Sequence, residues 1–277
     1  MRGGARQAQP PAAWFDRLYA RGAVRKALWK YWYPFLTWQL GRERVTFLNY
    51  AFESDPPMGL RLDDADEPDR ACIQLYHRAG TQIKLAGQDV LEISCGHGGG
   101  AAYLARSQSP RSYTGLDLNP RGIRFCRRHH RENGLSFVRG DAENLPFADG
   151  SYDVVLNVEA SHCYGDFQRF LAEVARVLRP GGSFLYSDFR DSQALSSWDE
   201  SLTRAGFSKV AFSDVSGDVL RGMEMNSCRS SEIVRRLVPP GFRSLALDFA
   251  GVEGSRMHRA LREGAVIYRM GCFHKRG

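Results

Sequence analysis

Three carboxylates, a glycine cluster and a histidine stand at intervals that suit chemistry on a small ligand. Glu92, Asp117 and Asp141 each fall at or just after the end of a short apolar run, and the first two flank Ser94-Cys95-Gly96-His97-Gly98-Gly99-Gly100-Ala101. Glycines there let the backbone turn sharply and approach a ligand without Cβ clashes. Gly96-x-Gly98-x-x-Ala101 also fits the dinucleotide pattern, and Asp117 lies near the spacing of a ribose-binding acid. The loop alone therefore does not choose a cofactor. The acids favour S-adenosylmethionine over NAD. A carboxylate at Glu92 suits a ligand carrying an ammonium and a sulfonium, and sits poorly beside a pyrophosphate. Asp117, followed by Leu118, is placed to accept both ribose hydroxyls. Asp141 is placed to accept the adenine amino group while the Ala142 N–H donates to the ring. Ser94, Gly96, Gly98 and Asn157 complete the expected cofactor contacts. Each acid by itself also reads as an ordinary loop or capping residue; it is their succession that carries the expectation.

Methyl transfer is a direct displacement, with the nucleophile about 3 Å from the methyl carbon. A hydroxyl acceptor also needs a base to take its proton. The segment Asn157-Val158-Glu159-Ala160-Ser161-His162 offers His162, whose ordinary pKa of about 6.5 is near operating pH. Asp188 is placed to orient it, and Glu159 is the alternative base. His97, inside the loop, reads as a cofactor-side residue. His129-His130 sit among Arg127, Arg128 and Arg131 and read as a solvated basic face. No metal site is inferred.

These residues need strand ends to bring them together. The sequence predicts strands at 89–94, 112–117, 136–139, 152–157 and 183–188, separated by helices beginning at Ala101, Pro120 and Phe167. Pro120 sits where a missing N–H costs nothing, and Pro180-Gly181-Gly182 stops the third helix. Strands alternating with helices imply an α/β, Rossmann-like, mostly parallel and doubly wound sheet, with ligands at the carboxyl ends of its strands. A helix over 193–205, a strand over 207–212, mainly helical stretches at 214–237 and 254–262 and a last strand over 265–273 follow. The expected organisation is an N-terminal tail and aromatic helical extension over 1–67, a cofactor-binding core over 68–212, a substrate-cover insertion over 213–264 and a final core strand over 265–277.

The 277 residues carry 43% hydrophobic and 25% charged side chains, as ordinary soluble proteins do. No apolar run approaches the ~20 residues of a membrane span, and no secretory leader is read at the start. Six widely spaced cysteines without a C-x-x-C pair argue for a reducing compartment, so a cytoplasmic location, with membrane-peripheral contact as an option, is expected. The net charge of +7 attracts anions without choosing among them. Residues 14–38 hold nine aromatics, four of them tryptophans, mixed with Arg and Lys. Three readings stay open for them: subunit or core packing that makes a homo-oligomer, a cover for an apolar acceptor, or an interfacial helix on a membrane surface. A nucleic-acid partner is not expected, because Asn157-Val158-Glu159-Ala160 lacks the Pro-Pro-aromatic tract of base-modifying enzymes.

The chain resembles class I S-adenosylmethionine-dependent methyltransferases. More narrowly, it is similar to the phthiotriol/phenolphthiotriol dimycocerosates methyltransferases, which O-methylate a very hydrophobic lipid alcohol. The resemblance rests on Tyr31-Trp32-Tyr33-Pro34, Glu53-Ser54-Asp55-Pro56-Pro57-Met58, Ser94-Cys95-Gly96-His97-Gly98-Gly99-Gly100, Gly115-Leu116-Asp117-Leu118-Asn119 and Asn157-Val158-Glu159-Ala160-Ser161-His162-Cys163-Tyr164, and continues weakly to Tyr268-Arg269-Met270-x-Cys272-Phe273. The wider class usually has Gly where Ser94 stands; the narrower family shares the serine. The resemblance implies a hydrophobic small-molecule acceptor from lipid or secondary metabolism, and supports the pairing of His162 with Asp188. O-methylation is the first expectation. C-methylation of a prenyl or alkene group through a carbocation is the alternative, since aromatic faces can stabilise such a cation.

Overall fold

Strands buried on both faces need continuous apolar runs, and the centre of this chain supplies them. A computed structural model describes residues 45–276. β1 (Asp89–Ile93), β2 (Ser112–Asp117), β3 (Leu135–Arg139), β4 (Tyr152–Val158), β5 (Leu178–Asp191), β6 (Phe207–Asp214) and β7 (Val266–Lys275) form one sheet in the order β3-β2-β1-β4-β5-β7-β6. β7 is antiparallel to both of its neighbours, while the pairings among β1 to β5 are parallel. Val90, Tyr113, Val154 and Leu185 belong to one buried cluster, and Leu91, Val155, Phe184 and Tyr186 to the other. This is the Rossmann-like layering that the sequence predicts.

The helices are α1 (Arg70–Gly80), α2 (Gly99–Gln108), α3 (Pro120–His129), α4 (Phe167–Val177), α5 (Leu195–Arg204), α6 (Ser216–Leu237), α7 (Arg243–Phe249) and α8 (Arg256–Arg262). α3 starts where Pro120 and the capping side chain of Asn119, which accepts from the Arg121 N–H, direct it. Neither α1 nor α7 is predicted by the sequence. α1 has no side-chain cap, and α7 is too short to show a helical period. β5 begins earlier than predicted: Pro180-Gly181-Gly182 does not separate helix from strand but lies within the strand, with an irregular register near Tyr152.

A strap from Val45 to Leu60 crosses the carboxyl ends of the strands. It starts at the glycine loop, where the Gly99 N–H donates to the Thr46 carbonyl at 3.2 Å and His97 Nδ1 lies 2.7 Å from the Val45 carbonyl. It passes Glu159, which accepts from the Tyr50 N–H at 2.7 Å, and reaches α6 where the Glu53 N–H donates to the Asp218 carbonyl. Gly222 of α6 permits that close crossing, because a Cβ there would meet the Phe52 nitrogen at 2.3 Å. The aromatic stretch 14–38 lies outside the described residues. α6, α7 and α8 fill the interval between β6 and β7.

Candidate active site

The glycine loop joins β1 to α2. Gly96 and Gly98 have φ of +58° and +76°, and a Cβ on Gly98 would meet the Phe137 ring at 2.8 Å. Ser94 has φ of +62°, which explains why glycine usually stands there. Its hydroxyl lies 2.7 Å from the Tyr164 hydroxyl, a contact that glycine could not make. Glu159, at the end of β4, also sits in the left-handed region at +49°. Two non-glycine residues held there at strand ends mark a place where the surroundings over-determine the backbone.

Asp117 ends β2 with its carboxylate buried. One oxygen accepts from the Gly96 N–H at 2.9 Å and the other from the Asn119 N–H at 2.8 Å. Burial pushes Asp117 up to about 6, against these two bonds. Each oxygen keeps further acceptor capacity. Asp141 follows β3 and accepts from the Glu143 N–H, with buried Ala142 beside it. Leu118 is half-buried next to Asp117. Asn157, fully buried on β4, donates to the Ile93 carbonyl and to the Tyr164 hydroxyl, both at 2.9 Å, and its Oδ1 has no hydrogen-bond partner. The strand ends thus bring Ser94, Gly96, Gly98, Asp117, Leu118, Asp141, Ala142 and Asn157 to one rim.

Glu92 is different. Its side chain points down from β1 into the layer of α1 and is only 1% exposed. The hydroxyls of Tyr76 and Tyr113 donate to its two oxygens at 2.9 and 2.8 Å, and burial pushes it up to about 7. It stands beneath the glycine loop, with both oxygens engaged by tyrosine hydroxyls. His97 is buried too, held by the Val45 carbonyl and stacked on Phe125. His130 is half-buried and within 2.8 Å of the His97 carbonyl, so it supports the loop instead of lying on a solvated face.

The donor set fits S-adenosylmethionine better than a dinucleotide. A pyrophosphate would need the N–H groups at the start of α2, and the first of these is taken by Thr46 of the strap. Carboxylates, not cations, surround the loop. Asp117 would hold the ribose hydroxyls, Asp141 and Ala142 the adenine, and the unpartnered Asn157 Oδ1 a polar hydrogen of the cofactor.

A second polar cluster is built from the ends of β4 and β5. His162 Nδ1 lies 2.8 Å from Asp188 Oδ1, and its backbone N–H donates to Oδ2 at 3.0 Å. Asp188 is completely buried, and Ser161 Oγ and the Phe189 N–H also donate to it. Burial opposes charge on His162, but Cys163 and Asp188 outweigh it and hold the imidazole above its usual range. Burial likewise opposes charge on Asp188, yet Arg190 and His162 keep it well below the usual carboxylate range. The His162 ring packs 4.2 Å from Phe189, which in turn meets Tyr50 and Tyr268. Glu159 accepts from the Tyr268 hydroxyl at 2.8 Å as well as from Tyr50, and burial pushes it up to about 7. Both its oxygens are engaged in pinning the strap. Sequence reasoning did not assign roles to Tyr50, Tyr76, Tyr113, Tyr164, Tyr268, Ser161 and Arg190. Ser161, Tyr164 and Tyr268 carried a signal, as parts of the family motifs.

A methyltransferase-domain model matches residues 91–186. The phthiotriol/phenolphthiotriol dimycocerosates methyltransferase of Mycobacterium tuberculosis is 53% identical over 250 residues, 90% of this chain and 93% of the relative. A fatty-acid O-methyltransferase of Mycolicibacterium smegmatis is 44% identical over 269 residues, 97% of this chain and 96% of the relative. Among solved structures the [4+2]-cyclase SpnF shares the fold, with a TM-score of 0.69 over 92% of this chain and 97% of its own, at 17% identity. On the identity across nine-tenths of both chains, the protein belongs to the phthiotriol/phenolphthiotriol dimycocerosates methyltransferase family, a branch of the class I S-adenosylmethionine-dependent methyltransferases.

Proposed function

We propose that the protein methylates a hydroxyl oxygen on a hydrophobic, lipid-like acceptor, with His162 as the base. The observation that carries this is the His162–Asp188 pair, 2.8 Å apart and walled by Phe189, at the strand ends next to the glycine loop. S-adenosylmethionine, when bound, supplies an electrophilic methyl group on a sulfonium. Asp117, Asp141 and Asn157 orient it, and no metal is required. With Nδ1 donating to Asp188, Nε2 is the nitrogen that exchanges a proton, and because the imidazole is held above its usual range it acts as base only after releasing that proton. Asp188 fixes the ring's tautomer and orientation and stabilises the protonated form. The half-buried rings of Tyr50 and Phe189 supply apolar surface for the acceptor and keep water from it.

Oxygen is preferred over carbon because one relative is named an O-methyltransferase and the site holds a base oriented by a carboxylate. The insertion 213–264 and the segment 14–38 complete the acceptor cover in this reading, in a cytoplasmic enzyme that works on or near lipid.

Two substitutions test the division of labour. His162→Ala is expected to lower turnover on a lipophilic alcohol by roughly 10²-fold or more while calorimetric affinity for S-adenosylmethionine stays near wild type. Asp117→Ala is expected to do the reverse, weakening cofactor binding by about 1–3 kcal/mol. Near-normal turnover of His162→Ala would remove the base assignment.

A further inference from the structure

Asp188 answers to two cations, and only one of them titrates. Arg190 Nη1 lies 3.2 Å from Asp188 Oδ2, on the oxygen not used by the His162 ring. Its Nη2 donates to Ser161 Oγ at 2.7 Å, and Ser161 passes its own hydrogen to Asp188 at 2.5 Å. The Tyr186 hydroxyl, which accepts from Trp198 Nε1, closes on the same Ser161 oxygen. The guanidinium also donates to the Phe189 carbonyl and lies 5.1 Å from the centre of the Phe167 ring and 4.8 Å from a Trp198 ring. It is therefore held on both faces and along its edge, with its side chain 17% exposed against 0% for Asp188.

A guanidinium stays charged at any working pH. A fully buried carboxylate without a cation is costly, so with Asp188 alone the imidazole would be forced to keep its proton as the only counter-charge. With Arg190 present, Asp188 is balanced whether His162 is neutral or charged. Proton uptake by His162 then takes the group from neutral to net positive. We propose that Arg190 is a positioning residue, a fixed counter-charge shared with His162 on one carboxylate, whose presence sets the pH at which His162 is free to accept a proton. Among the described residues, the charged and titratable groups facing the pair are Cys163, Glu159, Tyr164, Tyr186, Arg190 and Tyr268. Of these, Arg190 alone is a permanent cation.

This inference rests on His162 being the base, but its test does not need turnover. The His162 ring, assigned by comparison with His162→Gln, is titrated by NMR in the cofactor-free protein, in wild type, Arg190→Gln and Arg190→Lys. Arg190→Gln is expected to raise the midpoint by about one pH unit or more, and Arg190→Lys to restore most of the wild-type value. The acid limb of kcat/KM is expected to move with the midpoint, with acceptor KM changing less. If Arg190→Gln does not fold, Ser161→Ala, which removes only the hydroxyl between Arg190 and Asp188, is expected to move the midpoint the same way by less. A midpoint that stays put in the folded variants overturns the proposal. Full turnover in His162→Gln would overturn the base reading instead, and leaves the shift to be measured.

Discussion

Glu92 is a carboxyl group buried where no cation among the described residues meets it. Two tyrosine hydroxyls stabilise its ionised form, but burial outweighs them and raises it from 4.5 to about 7. Between these values the folded chain holds a proton that the unfolded chain has released. Stability is then fully present below about pH 4.5 and falls as pH rises toward 7. Glu92→Gln keeps a partner for both hydroxyls and removes the titration. In the cofactor-free protein it is expected to raise stability at pH 8, by up to roughly 3 kcal/mol, and to change it little near pH 4. Thermal melts at the two pH values check this. A variant equally destabilised at both would show that ionisation of the carboxylate does not govern its effect on stability. Glu159 has the same conflict, with partners that reach it from the strap and from β7.

At the scale of elements, the turn from β1 to α2 depends on Gly98. Its φ of +76° and the 2.8 Å gap to Phe137 both exclude a side chain. Gly98→Ala is expected to cost roughly 1–3 kcal/mol and to weaken cofactor binding, read by melting and calorimetry; unchanged affinity would mean that the loop backbone does not touch the ligand. The strands and their order of use were legible in the sequence, because buried parallel strands are short apolar runs bounded by Gly, Pro and Asp. The rim residues were legible for the same reason, each lying at the end of such a run. The supports were not. Tyr50 and Tyr268 each meet Glu159 across 109 residues, and Tyr76 meets Glu92 from a helix with no cap to announce it. Contacts of that kind leave no local pattern. Arg190 looked like any surface arginine until Trp198 and Phe167 were seen on its faces.

At the scale of the molecule, the strap is the only described segment before α1 that touches both halves of the site. It begins at the glycine loop and ends against α6. Deleting residues 1–38 is expected to spare cofactor affinity, since Val45 and Thr46 remain, and to reduce methylation strongly through loss of the acceptor cover. Calorimetry and a product assay check this, with sedimentation recording any change in assembly. A truncated chain with full activity and unchanged sedimentation would reject both the cover and a subunit arm.

The Tyr164 hydroxyl, between Ser94 Oγ and Asn157 Nδ2, is the point where the two halves meet. Everything proposed for the cofactor except Asn157 is encoded before residue 143, and everything proposed for the acceptor chemistry lies after residue 158, apart from the strap and the segment 14–38. The gene is thus divisible. Exchanging the downstream part with that of a relative should transplant acceptor preference while leaving cofactor use alone, provided the Ser94–Asn157–Tyr164 trio is inherited as a set. A crossover placed between Asn157 and Tyr164 that breaks the trio would leave a strained serine at φ of +62° with nothing to hold it, and such hybrids should be the ones that fail to accumulate in a recombination library.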